Sequence, residues 1–149
     1  MAQTYFGSAL RSGSGTLTDT TDGGFVVLMQ TSTVTTNADG TASSTSVTIP
    51  AGSQIVNIFI DQTQNEVVGG GTATAINATV GTAAAGTQYV SATDVIGGGR
   101  AALTFTAAQL AAMADVGSNT SVFLTVDPNG TISTTQGIYR FTVVYAQKG

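Results

Sequence analysis

Along this chain, apolar residues recur at every second position in short runs, and each run stops at a cluster of Gly, Asn, Asp or Pro. Side chains two apart share a face only in a β-strand, whereas helical faces recur every three or four residues. The last run states the rule most plainly. Over 138–146, Tyr139, Phe141, Val143 and Tyr145 fall on one side, and Ile138, Arg140, Thr142 and Val144 on the other. The run at 54–62 reads the same way, with Val56, Ile58 and Ile60 facing Ile55, Asn57, Phe59 and Asp61. At 44–49, Val47 and Ile49 share a face, and at 72–80 Ile76, Ala78 and Val80 do. The runs at 25–30, 54–62 and 138–146 carry apolar residues on both faces. A strand with one face in water should alternate cleanly, so their second faces are expected to be covered by loops, by a helix or by another subunit.

The punctuation supports the same reading. Asn37, Ala38, Asp39 and Gly40 form a turn by their chemistry, and Pro50 to Ser53 ends the preceding strand. Asp127, Pro128, Asn129 and Gly130 suit a type I turn closed by a left-handed glycine, with a return strand at 131–134. Glycine triplets at 69–71 and 97–99 read as loops, since neither is followed by the Lys-Ser/Thr pair of a phosphate cradle. Leu103 and Phe105 take alternate inward positions at 101–105. One helix is expected at 106–115, capped by Thr106, built from strong helix formers and stopped by Gly117. Together these predict an all-β sandwich, jelly-roll-like, over 25–149. Residues 1–24, with their Ser/Gly spacers, read as an extended N-terminal arm.

The residue types then exclude most chemistry. The chain has 149 residues with no His, no Cys and no Trp, so imidazole bases and Cys/His metal sites are out. Eight acidic residues stand mostly in turns, arm or helix end, and Asp61, Glu66 and Asp94 have no spacing that makes them converge. The Asn37–Gly40 turn lacks the later acids of a calcium loop. No enzyme activity, metal or cofactor is expected. Charged residues are only 8% of the chain against a usual value of about 25%. Ser and Thr, about a quarter of the residues, take their place. Four basic residues, Arg11, Arg100, Arg140 and Lys148, in a chain of net charge −4 cannot hold nucleic acid or an anionic membrane. The N-terminal stretch shows no basic n-region and apolar h-region, and no apolar run reaches bilayer length, so synthesis in a cytoplasm is expected.

What remains is surface. Tyr5, Phe6, Leu10 and Arg11 in the arm, with Phe59, Arg100, Ile138, Arg140 and Val144 in the strands, are the candidate contacts with a partner protein. Tyr89 is the candidate loop aromatic for an alternative, glycan-binding use.

Three stretches carry a resemblance. TIPAGSQIVNIFI at 48–60, TVGTAAAGTQYVSATD at 79–94 and YRFTVVYAQ at 139–147 resemble segments of small structural proteins of tailed bacteriophages. The resemblance spans roughly 45–146 and contains no catalytic motif. It implies a head decoration, or cement, protein that sits on the capsid exterior, binds the major capsid protein and forms a homo-oligomer, a trimer ahead of a dimer. A receptor- or glycan-binding fibre or tail-tip module, and a head–tail connector component, are the alternatives.

Overall fold

The computed structural model describes residues 25–132 and 134–148. Among them are eight strands and one helix, in the order β1 (Phe25–Thr35), β2 (Ser43–Ile49), β3 (Ser53–Gln64), β4 (Ile76–Gly81), β5 (Val90–Asp94), β6 (Gly99–Arg100), α1 (Ala107–Ala114), β7 (Thr120–Pro128) and β8 (Ile138–Lys148). The strands form two four-stranded sheets, ordered β1-β8-β3-β6 and β2-β7-β4-β5, and every pairing is antiparallel. Each connection except β4–β5 crosses from one sheet to the other, and the two packed antiparallel sheets make the all-β sandwich that the alternation predicts.

The alternation read from the sequence sorts side chains as anticipated over most of the chain. Tyr139, Phe141, Val143 and Tyr145 of β8 are buried, and they meet Ile49, Ile76, Val80, Val122 and Leu124 from the facing sheet in one core. At roughly 25 cal/mol per Å² of apolar surface, that interlayer is the main source of stability. Leu103 and Phe105 pack against it partly buried, in a segment that is not a strand.

Two expectations fail locally. In β3 the pairing to β8 slips between Ile55 and Asn57, a bulge that inserts one residue. The slip turns Ile55 inward beside Ile58 and leaves Val56 exposed, the reverse of strict alternation. At 127–134 there is no hairpin. Asp127 and Pro128 continue β7, Gly130 does not take positive φ, and Thr131, Ile132 and Thr134 are not in a strand. Instead the Thr131 carbonyl accepts from the amides of Thr72 (3.0 Å) and Ala73 (3.1 Å). Gly130 is required by closeness, since a Cβ there would stand 2.6 Å from Thr72 Oγ1 and 2.9 Å from the Ala73 nitrogen. The 37–40 turn does form, with Gly40 at φ 82° and Asp39 accepting from Thr41.

The helix closes one flank of the sandwich. β6 covers only two residues of the β3 edge. Beyond it the chain runs back along β3, tied by Ala101 N–H to the Ile60 carbonyl (2.9 Å) and by Val116 N–H to the Ser53 carbonyl (3.0 Å). Between these ties lies α1, whose capping box joins Thr106 and Gln109 reciprocally. Met113 drops into the core, and buried Gln109 reaches the other sheet at the Thr87 carbonyl and Ser91 Oγ. The helix ends at Ala114, and Gly117 at φ 66° turns the chain away, its amide donating to Asp115. An edge that would otherwise offer free amides is thus covered. On the opposite flank, β1 and β2 are laced by Gln30 Nε2 donating to the Thr48 carbonyl (2.7 Å) and by the hydroxyls of Ser32 and Thr45.

Candidate functional site

The outer face of the β1-β8-β3-β6 sheet gathers the residues that the core does not use. Asp61 on β3 stands directly opposite Arg140 of β8 on one side and Arg100 of β6 on the other. Arg100 Nε donates to Asp61 Oδ1 at 2.7 Å and its Nη2 to Oδ2 at 3.3 Å, while Arg140 Nη2 donates to Oδ2 at 3.2 Å. The Arg100 hydrogen bond holds the Asp61 carboxyl below the usual carboxylate range; partial burial opposes this, and Arg140 adds to it. Only 13% of the Asp61 side chain is exposed, against 58% for Arg100 and 49% for Arg140. Two cations share one anion, so one positive charge is left over at the rim. Arg100 also lies over Phe59, its guanidinium carbon 4.3 Å from the ring centroid, where cation and ring attract.

Beside this clamp lies a shallow hollow of about 410 Å³, walled by Phe59, Val144 and Met29, with Thr31 and Thr142 between them. The cross-strand register places Met29 next to Val144 and Thr31 next to Thr142, and Phe59 follows Thr142 on the far side. The Thr31 and Thr142 hydroxyls are 3.0 Å apart. Val27, Met29 and Val56 are 62%, 71% and 52% exposed, and they extend the apolar ground away from the clamp.

Four of the surface residues picked from the sequence, Phe59, Arg100, Arg140 and Val144, therefore come together in one patch. Ile138 shares their face of β8 but sits farther along, partly buried opposite Thr35 and Gln64. Tyr5, Phe6, Leu10 and Arg11 lie outside the described residues. Sequence reasoning missed Asp61, Met29 and Thr31. For Asp61 a signal existed, because it shares the face of β3 that carries Phe59; only the register could show that an arginine flanks it on both sides.

The other acidic candidates have separate tasks. Glu66 Oε2 accepts from the Tyr139 hydroxyl (3.1 Å) and from Gln62 Nε2, and Gln62 Nε2 also donates to the Tyr139 oxygen (3.0 Å). Burial, with Glu66 beside it, pushes the Tyr139 hydroxyl far above its ordinary value, so this group is a latch rather than an acid. Asp94 Oδ1 accepts from the amides of Ile76 and Ile96, both at 3.1 Å. Tyr89 is 3% exposed and cannot offer its ring to a sugar, which corrects its assignment as a loop aromatic. Among the described residues no group of three acidic side chains gathers where it could hold a metal ion, and no helix is long and apolar enough to cross a membrane.

With the geometry in place, comparison with solved structures gives one relevant likeness. It comes from a virus. The chain is similar in fold to a chain of the "Cyanophage Pam1 capsid asymmetric unit", with a TM-score of 0.59 and 20% sequence identity. The alignment takes in 98% of this chain and 98% of that one. At that identity the likeness is one of fold. No protein-family model matches the sequence, and no curated protein matches it.

Proposed function

We propose that this chain is a non-enzymatic structural protein of a phage virion, which decorates the outside of the capsid as an oligomer and ties neighbouring capsomers together. The observation that carries this reading is the end-to-end likeness in fold to a chain from a phage capsid, shared over nearly the whole of both molecules. The phage-like phrases at 48–60, 79–94 and 139–147 point the same way. So does the chemistry of the surface, where Asp61 is spent on a clamp, Asp39, Asp94 and Asp115 on turns, and Glu66 on a latch. Such a protein acts by contact, and several modest contacts on one oligomer add up through high effective concentration. The partner in this reading is the major capsid protein. The oligomer is a trimer ahead of a dimer. Residues 1–24 serve as an arm that reaches a neighbour.

The test is made on particles. Capsids stripped of this chain are expected to lose heat resistance and to regain it when the purified chain is added back. Stripped and intact particles that melt alike would sink the cementing role. A copy number of a dozen or fewer per particle would favour a connector instead. Deletion of residues 1–20 is expected to leave the melting temperature of the isolated chain nearly unchanged while weakening attachment; equal attachment would remove the arm from the mechanism.

A further inference from the structure

The outward face of β1-β8-β3-β6 combines two features that call for one kind of neighbour. Met29 is exposed to water beside the partly buried Val144 and Phe59, and covering this apolar ground is favourable in proportion to the area still open. Next to it, Arg100 and Arg140 surround a single carboxylate and leave a positive charge unmatched. Half of the chain's four basic residues stand here, in a molecule whose net charge is −4. Charge complementarity therefore selects an acidic group at this place and repels it from most others. Arg140 is the better receiver, because it gives Asp61 one N–H of the five that a guanidinium carries, whereas Arg100 gives two and is stacked on Phe59. Val144 and Arg140 lie on the same face of one strand, four residues apart, which is about 13 Å at roughly 3.3 Å per residue.

We infer that this face seats an extended segment of a partner protein that presents an apolar side chain and a carboxylate four residues apart, the first over Met29 and Val144 and the second on Arg140. A strand offers that pair on one side at the matching separation. In a helix, residues four apart are only about 5–6 Å from each other and cannot span it. The inference rests on the reading that this chain works by contact, and it names the chemistry of the contact.

The full-length chain is titrated by NMR with the peptide acetyl-Leu-Thr-Thr-Thr-Glu-Thr amide, following the Met29 methyl and the arginine Nε–H resonances. Saturable shifts are expected at Met29, Arg100 and Arg140, with a Kd on the order of millimolar for so small a ligand. Replacing glutamate by glutamine in the peptide, or Arg140→Gln in the protein, is expected to weaken binding about tenfold. Equal shifts with the glutamine peptide, or none at these three residues, overturn the site without any variant being needed. A change of oligomeric state in Arg140→Gln by light scattering also overturns it, because a second copy would then be the occupant. On particles the two ideas separate: failure of the unaltered chain to attach sinks the virion role, whereas equal attachment by the unaltered chain and Arg140→Gln sinks this site alone.

Discussion

The two sheets of this sandwich are alike inside and opposite outside. Inward, both present large or branched apolar side chains: Tyr139, Phe141 and Val143 from one, Val122, Leu124 and Ile76 from the other. Outward, the β2-β7-β4-β5 sheet is richer in hydroxyls, where Ser44 meets Thr125 at 2.9 Å and Ser46 and Thr48 stand in water, with the partly buried Phe123 and the exposed Asp127 among them. Its counterpart exposes Val27 and Met29 and carries the Arg100–Asp61–Arg140 clamp. One fold thus builds a wall that water satisfies and a wall that a neighbour would satisfy better. The core sets the shape, and the second side of each strand is left free to differ.

The largest effects test the likeness of the interiors. Phe141→Ala on one sheet is expected to cost about 3–5 kcal/mol, and Leu124→Ala on the other about 2–5 kcal/mol. Denaturant melts measure both, and a loss below about 1 kcal/mol for either would mean the two inner faces do not share one core. The clamp comes next. Asp61→Asn is expected to cost on the order of 1 kcal/mol at neutral pH, held down by the exposure of its arginine partners. The Asp61 carboxyl lies lower in the folded chain than in the unfolded one, so its contribution is complete above about pH 3.9 and is lost as the pH falls through the lower folded value. Stability curves of the two proteins should therefore converge in acid, and a constant gap down to pH 2 would assign the loss to packing. The smallest effect on stability is the sharpest on function. Val27→Thr with Met29→Thr is expected to move stability by no more than about 0.5 kcal/mol while reducing attachment to particles. Ser46→Lys on the hydroxyl wall should leave both unchanged. Equal losses of attachment from the two walls would erase the contrast.

Much of the architecture was legible because burial writes itself into period two. Val47 with Ile49, Ile76 with Ala78 and Val80, and the aromatic run of β8 all fall where alternation puts them. The helix was equally plain from Thr106 and its alanines, and its end missed by a single residue. The failures share a physical cause, which is that they depend on distant backbone. The β3 bulge is a property of pairing to β8, so Ile55 and Val56 could not be sorted from β3 alone. The stretch after Pro128 looked like a local turn, yet the Thr131 carbonyl is satisfied by the amides of Thr72 and Ala73. Tyr89 reads as an exposed loop residue until the fold closes over it. For the site, type and face pointed to Phe59, Arg100, Arg140 and Val144, while the carboxylate that assembles them was hidden in the register.

The closed flanks have a further consequence. A body that α1 shuts along one side, and whose β1 and β2 borders are stitched together by side chains along the other, offers fewer bare borders for an added strand. If it lands with its apolar-cationic wall down, it turns outward the wall on which Ser44, Ser46 and Thr48 stand in water. In the proposed role, such tiles would bring their grip to one side only, and the wall left outward would offer a second course a poorer footing.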